Sequence, residues 1–523
     1  MSTQSSASIE LANQALDLAA KGELESAIAA LENVIAAQPD MVGARINLGA
    51  LLCRFGAIER AINCLKTALE LAPKFPAAWN NYGHALLRSG AVEAAFQAFS
   101  KAIEYDPLYI SAHSNRILTT LYRETSLELR QRVQDDYRCA ITQKIATFPA
   151  YQAPRKTAKY IKIGFISPDF RQHSVAFFLE SIFKTLDKRQ FQLHLYADNE
   201  QSDPYTETFQ RIACKWHPCS QLSDAELTQL IRQHSLDVLF DLCGHFSHNR
   251  QAVIAARAAP IQSAWLGYPG ISHTPNLDFY LADGIVLEKS DLSATERKHT
   301  YALPQGFHCY CPPQDAPAIT SAPCTKNRHF TFGCFNNLFK ISPQIAGTWG
   351  QILRLCPHSQ LILKSAGLDS KVVQKRILTW MQLAPDEHSR VHFLGRTPSF
   401  SEHLKSYNQI DLALDSYPYN GTTTTCEALW MGVPTISLSS TQIQSRIGAS
   451  LLTQVGLQHF SVTKPSEYIA LALQLYKNPE KIARLRSQLR ARVQASSLLE
   501  PAHLTKSLSA FIIKTLDTRV RHL

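Results

Sequence analysis

The N-terminal part of the sequence repeats itself with an interval of 34 residues. Prolines mark this interval at positions Pro39, Pro73 and Pro107. Other residues keep the same step, namely Gly22, Gly56 and Gly90, Ala27, Ala61 and Ala95, and Leu31, Leu65 and Phe99, with Gly49 and Gly83 as a further pair. One unit of this length cannot bury its own apolar face, so the sequence predicts a stack of equivalent units that share one core.

This interval and pattern are typical of the tetratricopeptide repeat, a pair of packed helices. Glycine and alanine allow the two helices to approach closely, and proline cannot continue the second helix. About three units span residues 8–109, and residues 108–122 are predicted as a capping helix. We therefore predict a repeat array over residues 1–125 whose curved surface holds a protein partner. The alternative is a packing or dimerisation element, which would make the protein a homo-oligomer through its repeats.

Beyond the repeats, short apolar strands alternate with amphipathic helices, which indicates parallel sheets with crossover helices. Residues 126–158 are predicted as a helical linker, and the basic run 155–159 marks the boundary to the next domain. Two Rossmann-like domains follow over residues 159–318 and 319–523, the second with C-terminal helices. The predicted strands are 161–166, 191–197, 238–242, 262–266 and 279–282 in the first domain, and 330–335, 361–364, 391–394, 412–415 and 435–438 in the second. Ligands of such sheets bind beyond the carboxyl ends of the strands, so the predicted active site is the cleft between these domains.

The composition restricts the class of ligand. Lys and Arg number 53 against 43 Asp and Glu, but they are scattered, which disfavours nucleic acid and favours a phosphate-bearing small molecule. The 12 cysteines include no Cys-x-x-Cys pair, which disfavours a zinc site and a disulfide framework. No secretory signal is recognisable, and no apolar run reaches the ~18 residues that span a bilayer. We expect a cytoplasmic protein.

The most informative segment, residues 410–434, has the pattern of a strand, a loop rich in Gly and Thr, and a helix. Asn420 and Gly421 supply a tight turn, and residues 422–425 are four threonines at the helix start. Backbone N–H groups and hydroxyls at the positive end of a helix form a cradle for phosphate. Glu427, one turn further on, is suited to accept hydrogen bonds from a ribose diol. The alternative is a threonine-rich helix cap that binds nothing.

Other candidate residues follow predicted strands. Lys340 lies in a strand-to-helix loop, where an ammonium can neutralise a departing diphosphate. His173 follows the first strand, and His245 closes the segment that begins at Asp241. The His173 imidazole could act as a base or bind a sugar, and His245 and His403 are further candidates. For each residue taken singly, a solvated Lys or a histidine without catalytic duty is the alternative.

Together these segments resemble the nucleocytoplasmic protein O-linked N-acetylglucosamine transferases and their bacterial and plant relatives, including the SPINDLY-type fucosyltransferases. The resemblance runs over nearly the whole chain, through the repeats and four ordered motifs at residues 163–173, 259–270, 335–340 and 420–427. It implies a GT-B fold and inverting, metal-independent transfer from a uridine-diphosphate sugar held mostly by the C-terminal half. The absence of an Asp-x-Asp pair agrees with a reaction that uses no metal. With about three repeats and a short linker between the catalytic halves, the chain is similar to bacterial members.

The resemblance also implies residue roles. Lys340 would contact the diphosphate, and His173 matches a histidine near the sugar that was considered as the base. The implied donor-binding residues are Asn337, His403, Asn420, Gly421, Thr422, Thr423, Thr424 and Glu427, with Asp241 and His245 on the side of the sugar or the acceptor. The chain departs from the animal members at Phe400, where they have a donor-contacting lysine, and at Asp237 and Thr422, where they have histidines.

The sequence thus predicts an enzyme that moves N-acetylglucosamine from a UDP-sugar to Ser or Thr of a protein, with no cofactor and no metal. Fucose or glucose as the transferred sugar, Asn as the acceptor, and a repeat scaffold that has lost activity are the alternatives.

Overall fold

The computed structural model describes residues 3–151, 160–327 and 329–520. The predicted boundary at residue 158 and the basic run 155–159 lie outside the described residues. The chain forms two compact units. The first comprises Met1–Ala140 together with Asn337–Ile341 and Ser365–Arg376, and the second comprises Ile141–Asn336, Ser342–Lys364 and Ile377–Leu523.

Seven helices build the repeat array of the first unit. They are α1 (Thr3–Ala20), α2 (Leu24–Ala37), α3 (Val42–Phe55), α4 (Ile58–Leu71), α5 (Pro76–Arg88), α6 (Val92–Tyr105) and α7 (Ile110–Thr119), which a short 3-10 turn, Thr120–Tyr122, extends. The periodic residues form its core, since Ala27, Ala61, Ala95, Leu31, Leu65 and Phe99 are all 0% exposed. The predicted helical pairs are confirmed, and α7 lies within the segment 108–122 that was predicted to cap the stack.

The periodic glycines serve two different purposes. Gly22, Gly56 and Gly90 have φ of 86°, 97° and 79°, a left-handed backbone that turns each first helix into its partner and that other residues adopt with strain. Gly49 lies inside α3, where an added Cβ would come within 2.4 Å of the Leu65 side chain. The first set is needed for backbone conformation and Gly49 for close packing of two helices.

The residue six positions after each periodic proline repeats a structural role that the sequence alone did not reveal. Arg45, Trp79 and His113 each donate a side-chain N–H to the carbonyl of that proline, over 2.8, 2.7 and 2.9 Å. Three chemically different side chains thus satisfy the same orphan carbonyl beyond the preceding helix end.

Two parallel sheets form the second unit. The first has the order β3-β2-β1-β4-β5-β6-β7 and the second β10-β9-β8-β11-β12-β13. Their bounds are β1 (Ile161–Ser167), β2 (Phe191–Ala197), β3 (Lys215–Pro218), β4 (Val238–Asp241), β5 (Ile261–Trp265), β6 (Phe279–Asp283), β7 (Thr300–Leu303), β8 (Phe330–Cys334), β9 (Ser359–Lys364), β10 (Val391–Leu394), β11 (Leu412–Leu414), β12 (Thr435–Leu438) and β13 (Ser461–Val462). All ten predicted strands are present, and the fold class is confirmed as tetratricopeptide repeats followed by two Rossmann-like domains.

Further helices precede, connect or follow these strands, in part as crossovers. They are α8 (Leu127–Ile145), α9 (Ala176–Thr185), α10 (Pro204–Ile212), α11 (Asp224–His234), α12 (Gln251–Ala255), α13 (Ala294–Lys298), α14 (Pro343–Leu355), α15 (Lys371–Met381), α16 (Phe400–Ser406), α17 (Thr423–Trp430), α18 (Ile447–Gln454), α19 (Pro465–Tyr476), α20 (Pro479–Gln494) and α21 (Pro501–Val520). No helix of the described residues is long and apolar enough to cross a membrane.

The last helix, α21, returns to the first sheet. The Phe511 ring packs against Tyr301 and Phe279, with ring centroids 4.7 and 5.3 Å apart, and the hydroxyls of Thr185 and Thr505 lie 2.7 Å apart. The two catalytic lobes are therefore linked twice, once by the connection after β7 and once by this returning helix, as expected of the GT-B fold.

Candidate active site

The turn between β11 and α17, residues 420–425, lies at the carboxyl edge of the second sheet; we call it the threonine turn. The Asn420 side chain is fully buried, where it donates to the carbonyls of Ser416 and Leu438 and accepts from Gly448 N–H. Asn420 therefore holds the turn in place. Gly421 is required for space, because an added Cβ would lie 2.5 Å from Thr424 Oγ1 and 2.8 Å from Asn336 Oδ1.

A buried carboxylate, Asp415, organises the same turn. Its Oδ1 accepts hydrogen bonds from the backbone N–H of Gly421 at 2.7 Å and from Asn336 Nδ2 at 3.0 Å. Its Oδ2 accepts from the Ser437 hydroxyl at 2.7 Å, and only 2% of the residue is exposed. These hydrogen bonds satisfy the buried carboxylate and connect β8, β11 and β12 beneath the turn.

Asn336 contacts the threonine turn, whereas Asn337 was the residue predicted for the donor. Asn336 is buried and its Oδ1 accepts from the Thr424 hydroxyl, while Asn337 is exposed and begins the next 3-10 helix. The two asparagines follow β8 in direct succession, so their side chains turn in different directions. The sequence shows the pair of asparagines, but it does not show which of the two contacts the threonine turn.

The first helical turn of α17 points its backbone donors into this region. Thr422 stands at the N-cap and its side chain makes no capping hydrogen bond, and both Thr422 and Thr424 are partly exposed. Thr423 is 9% exposed, and the Thr425 hydroxyl donates to Gly421 O at 3.1 Å. Helix N–H groups without a side-chain cap can bind an anion, which is the role that the sequence predicts for this turn.

His403 and Glu427, 24 residues apart, meet in the structure. His403 Nε2 lies 2.9 Å from Glu427 Oε2, which also accepts from the Tyr407 hydroxyl at 3.0 Å. The sequence analysis missed Lys364, the last residue of β9, whose Nζ lies 2.7 Å from His403 Nδ1. Burial lowers the pKa of Lys364, and the Glu427 carboxylate opposes this shift.

This chain of contacts fixes the tautomer of His403. A Lys ammonium carries donors only, so Nδ1 of His403 must accept from Lys364. The ring proton is then on Nε2 and is donated to Glu427. The order of donors, from Lys364 through His403 to Glu427, holds the imidazole in one orientation beside the threonine turn.

Aromatic rings join the two lobes next to this cluster. Phe400, the first residue of α16, stacks on Phe177 of α9 with ring centroids 5.3 Å apart. The same ring stacks on His403 at 6.0 Å. Phe400 thus connects α9, the helix after His173, to α16, the helix that carries His403.

His173 lies in the turn between β1 and α9, at the carboxyl edge of the first sheet. Its Nδ1 lies 3.4 Å from Asp169 Oδ2, and its side chain is 39% exposed. Burial lowers the pKa of His173, while the Asp169 carboxylate opposes the shift. The imidazole is consequently neutral near pH 7 and can accept a proton.

Asp241 and His245 belong to a buried polar network. Asp241 Oδ2 accepts from Gln251 Nε2 at 2.6 Å, Gln251 accepts from Thr274, and the Thr274 and Ser272 hydroxyls lie 2.7 Å apart. Ser272 Oγ in turn lies 2.9 Å from His245 Nε2. Burial lowers the pKa of His245 to about 3. Asp241 and His245 are at most 3% exposed. Such buried side chains are suited to stabilising the loops after β4 and β5.

Asp237 lies at the other end of β4. Its carboxylate accepts from the Lys162 backbone N–H over 2.9 Å at the start of β1. The strands begin at this end of the sheet, opposite the carboxyl edge. Asp237 therefore lies outside the candidate site.

Lys340 and Asn337 belong to the first unit, within the segment Asn337–Ile341 that we call the lysine loop. The loop packs on the repeats, since the Phe339 ring meets Tyr122 edge-on with centroids 4.8 Å apart. Leu338 lies beneath Gly90, where an added Cβ would stand 3.2 Å from Leu338 Cγ. Lys340 ends the 3-10 helix Leu338–Lys340 and is partly exposed.

A family model described as glycosyl transferase family 41 matches residues 119–308 and 325–508. The chain belongs to this family. Tetratricopeptide models match residues 18–81 and 76–107, which makes this a family 41 member with an N-terminal repeat array.

Similar proteins come from plants and bacteria. A probable UDP-N-acetylglucosamine–peptide N-acetylglucosaminyltransferase SPINDLY from Petunia hybrida is 30% identical over 76% of this chain and 43% of its own length, and the SPINDLY protein of Arabidopsis thaliana is 30% identical over 73% and 42%. The chain thus spans less than half the length of these relatives. The solved structure of a mutant O-GlcNAc transferase from Thermobaculum terrenum superposes with a TM-score of 0.91 over 100% of both chains, at 28% identity.

Proposed function

We propose that this family 41 chain transfers N-acetylglucosamine from a UDP-sugar to a Ser or Thr hydroxyl of a protein, with inversion and without a metal ion. The observation that carries the proposal is the threonine turn, where uncapped N–H groups of α17 lie beside the Lys364, His403 and Glu427 cluster. The uncapped N–H groups suit a phosphate, and the cluster of Lys364, His403 and Glu427 suits the hydroxyls and the base of a nucleoside. The names of the plant relatives and of the bacterial structure support the sugar, the nucleotide and the peptide acceptor.

In the proposed reaction the acceptor oxygen attacks the anomeric carbon from the face opposite the nucleotide. A new C–O bond forms as the bond from that carbon to the β-phosphate oxygen breaks, and UDP leaves with the electron pair. Lys340 and the N–H groups of Thr422 to Thr424 would stabilise the charge that develops on this oxygen. This positive charge is why we propose that the reaction uses no metal.

The acceptor hydroxyl must lose a proton, and His173 is the candidate base on the first lobe. Its lowered pKa keeps the imidazole neutral, and its Nδ1, which lies 3.4 Å from Asp169 Oδ2, accepts from the Val175 backbone N–H at 3.4 Å. The repeats would hold the protein acceptor, and the 12 cysteines, none of them disulfide-bonded in the described residues, favour a reducing compartment such as the cytoplasm.

A panel of UDP- and GDP-sugars tests the donor. The purified chain is expected to hydrolyse UDP-N-acetylglucosamine slowly and to gain thermal stability with UDP, by about 2.7 kcal/mol at ~100 times the dissociation constant. EDTA should change neither result. Stabilisation by GDP-sugars alone would overturn the choice of nucleotide, and stabilisation by none would overturn the site.

The pH dependence tests the base. For a histidine with a lowered pKa, the neutral form persists below the ordinary value of about 6.5 and is lost as the pH falls through the lowered value. The acidic limb of kcat/KM for transfer should therefore lie below pH 6.5 and should disappear in His173→Ala. A limb that is unchanged in this variant would mean that another group accepts the proton.

A further inference from the structure

Three histidines converge on the outer part of the first sheet, away from the candidate active site. His194 lies on β2, His217 on the edge strand β3, and His234 at the end of α11. One ring nitrogen of each lies within 4.8 Å of the other two, and His194 Nδ1 and His217 Nε2 are 3.2 Å apart. The three histidines are distant from one another in the sequence. The pairing of β2 with β3 and the packing of α11 bring their rings together.

The geometry of the cluster is close to that of a bound metal ion. Zinc binds imidazole nitrogen at 2.0–2.1 Å, which in a tetrahedral site separates two ligand atoms by about 3.3 Å. His194 Nδ1 and His217 Nε2 have this separation already, and one ring nitrogen of His234 lies within 4.8 Å of a nitrogen of each of the other two rings. His217 and His234 are partly exposed, which leaves an ion a path from solvent.

The chemistry of the neighbouring groups selects the type of ion. Burial, together with the other histidines, lowers the pKa of His194 and His217 to about 4, so their lone pairs are available at neutral pH. The nearby charged groups are the cations Lys162 and Lys215, and the cluster includes no carboxylate. An all-nitrogen site of this kind suits Zn²⁺, Co²⁺, Ni²⁺ or Cu²⁺ rather than Mg²⁺ or Ca²⁺.

Tyr196 supplies the outer contact that metal-binding histidines usually have. Its hydroxyl lies 2.8 Å from His234 Nδ1, and the hydroxyl oxygen can accept a hydrogen bond from that N–H. The imidazole would then keep a lone pair on Nε2 for the metal. The strand register places Tyr196 directly beside His217.

We infer that His194, His217 and His234 form a binding site for a divalent transition-metal ion, with Zn²⁺ as the first candidate. The ion fastens the four-residue edge strand β3 to β2 and to the end of α11. His234 precedes β4, whose carboxyl end carries Asp241, so the metal lies toward the opposite end of the strand. It stabilises the first lobe and takes no part in sugar transfer.

The test uses the full chain without a histidine tag, stripped with EDTA and exchanged into buffer free of chelator. Calorimetric titration with Zn²⁺ should show one saturable site, and Co²⁺ should give the visible absorption of a nitrogen-coordinated ion. His217→Ala should weaken binding by about 100-fold or more, and Tyr196→Phe by about 10- to 100-fold. His392→Ala, which removes an exposed histidine from edge strand β10, should bind as the wild type does.

Two results would overturn the inference. The first is a wild-type chain that binds neither ion, which would make the cluster a stack of rings, as the 4.3 Å between the His217 and His234 centroids allows. The second is equal binding by wild type and His217→Ala. If His217→Ala does not fold, His234→Gln at the helix end takes its place, with near-ultraviolet circular dichroism as the check of folding; unchanged Co²⁺ absorption in that variant would again overturn it.

Discussion

Neighbouring strands β8 and β11 lead into two loops that are held by different parts of the molecule. The threonine turn after β11 is fixed inside the catalytic unit, where Asp415 and Asn336 bond its backbone and its Thr424 hydroxyl. The lysine loop after β8 packs in the repeat unit, on Tyr122 and beneath Gly90. The threonine turn thus depends on contacts within the catalytic unit, and the lysine loop depends on contacts within the repeat unit.

A second segment of the catalytic chain packs on the repeats in the same way. Ser365–Arg376, which follows β9, belongs to the repeat unit, and the Ser370 hydroxyl donates to Glu59 at 2.5 Å. The Arg376 guanidinium donates to the carbonyl of Ser89, and Leu338 N–H of the lysine loop donates to Ser365 Oγ at 3.0 Å. Deleting the repeats would therefore strip the support from the lysine loop as well as remove a surface for acceptors, so point substitutions separate the two roles better.

The largest effect is expected from Lys340→Ala. Removal of one group that stabilises a developing oxyanion costs about 100- to 1,000-fold in rate, so donor hydrolysis and transfer should both fall by that factor. The measurement is kcat for both reactions, with UDP-induced thermal stabilisation alongside. Lys405→Ala, an exposed lysine on α16, is the control and should be close to wild type. Equal UDP binding and turnover in Lys340→Ala would remove the lysine loop from the donor site.

Asp415→Ala tests the support of the threonine turn. The substitution leaves Gly421 N–H, Asn336 Nδ2 and the Ser437 hydroxyl without their acceptor, and bonds to a charged group contribute most. We expect a loss of about 3 kcal/mol in the free energy of unfolding of the catalytic unit, measured by urea denaturation. A stability within about 0.5 kcal/mol of wild type would show that the turn is held by other contacts.

Gly421→Ala sharpens the comparison without removing a charge. The added methyl would collide with Thr424 Oγ1 and Asn336 Oδ1, so the turn must open and we expect UDP to bind about 10- to 100-fold more weakly. Gly395→Ala is the matched control, because an added Cβ there meets nothing within 4 Å. Calorimetric titration with UDP measures both variants, and equal affinities for the two would contradict a role of the turn in binding phosphate.

The smallest effect is expected from Tyr122→Ala in the repeat unit. An aromatic pair contributes about 0.5–1.5 kcal/mol beyond its buried area, so loosening Phe339 should raise KM for the donor by about 2- to 10-fold. Tyr105→Ala, whose ring lies near Lys101, controls for damage to the repeats. If donor hydrolysis without any acceptor protein is unaffected in Tyr122→Ala, the repeats do not position the lysine loop.

The strands show where sequence patterns succeed and where they fail. All ten predicted strands exist, because most are buried apolar runs that stand out from their surroundings. The three that were missed, β3, β7 and β13, are all edge strands. The segment Lys215–Pro218 is partly or fully exposed throughout and mixes charged, aromatic and proline residues. An edge strand is stabilised by pairing on one side only, so its sequence carries little of the pattern that identifies a buried strand.

The site residues show the same limit. Thr422, Thr423 and Glu427 could be proposed because their pattern is contiguous, and the helix start that it predicts is present. Lys364 lay within a predicted strand and was passed over, since its partner His403 is 39 residues away. Phe400 appeared only as a departure from relatives, whereas in the structure it stacks on Phe177 of the other lobe.

By itself the sequence determined the 34-residue repeat, the two series of parallel strands and the threonine-rich helix start. Each of these features depends on residues within one turn, one strand or one repeat, so residue spacing and side-chain size suffice to identify it. The tertiary structure alone decided that Asn336 and not Asn337 supports the turn, that Lys364 orients His403, that three distant histidines converge, and that the lysine loop packs on the repeats. These contacts join residues brought together by sheet pairing and helix packing, and no local pattern records which distant surface a side chain will meet.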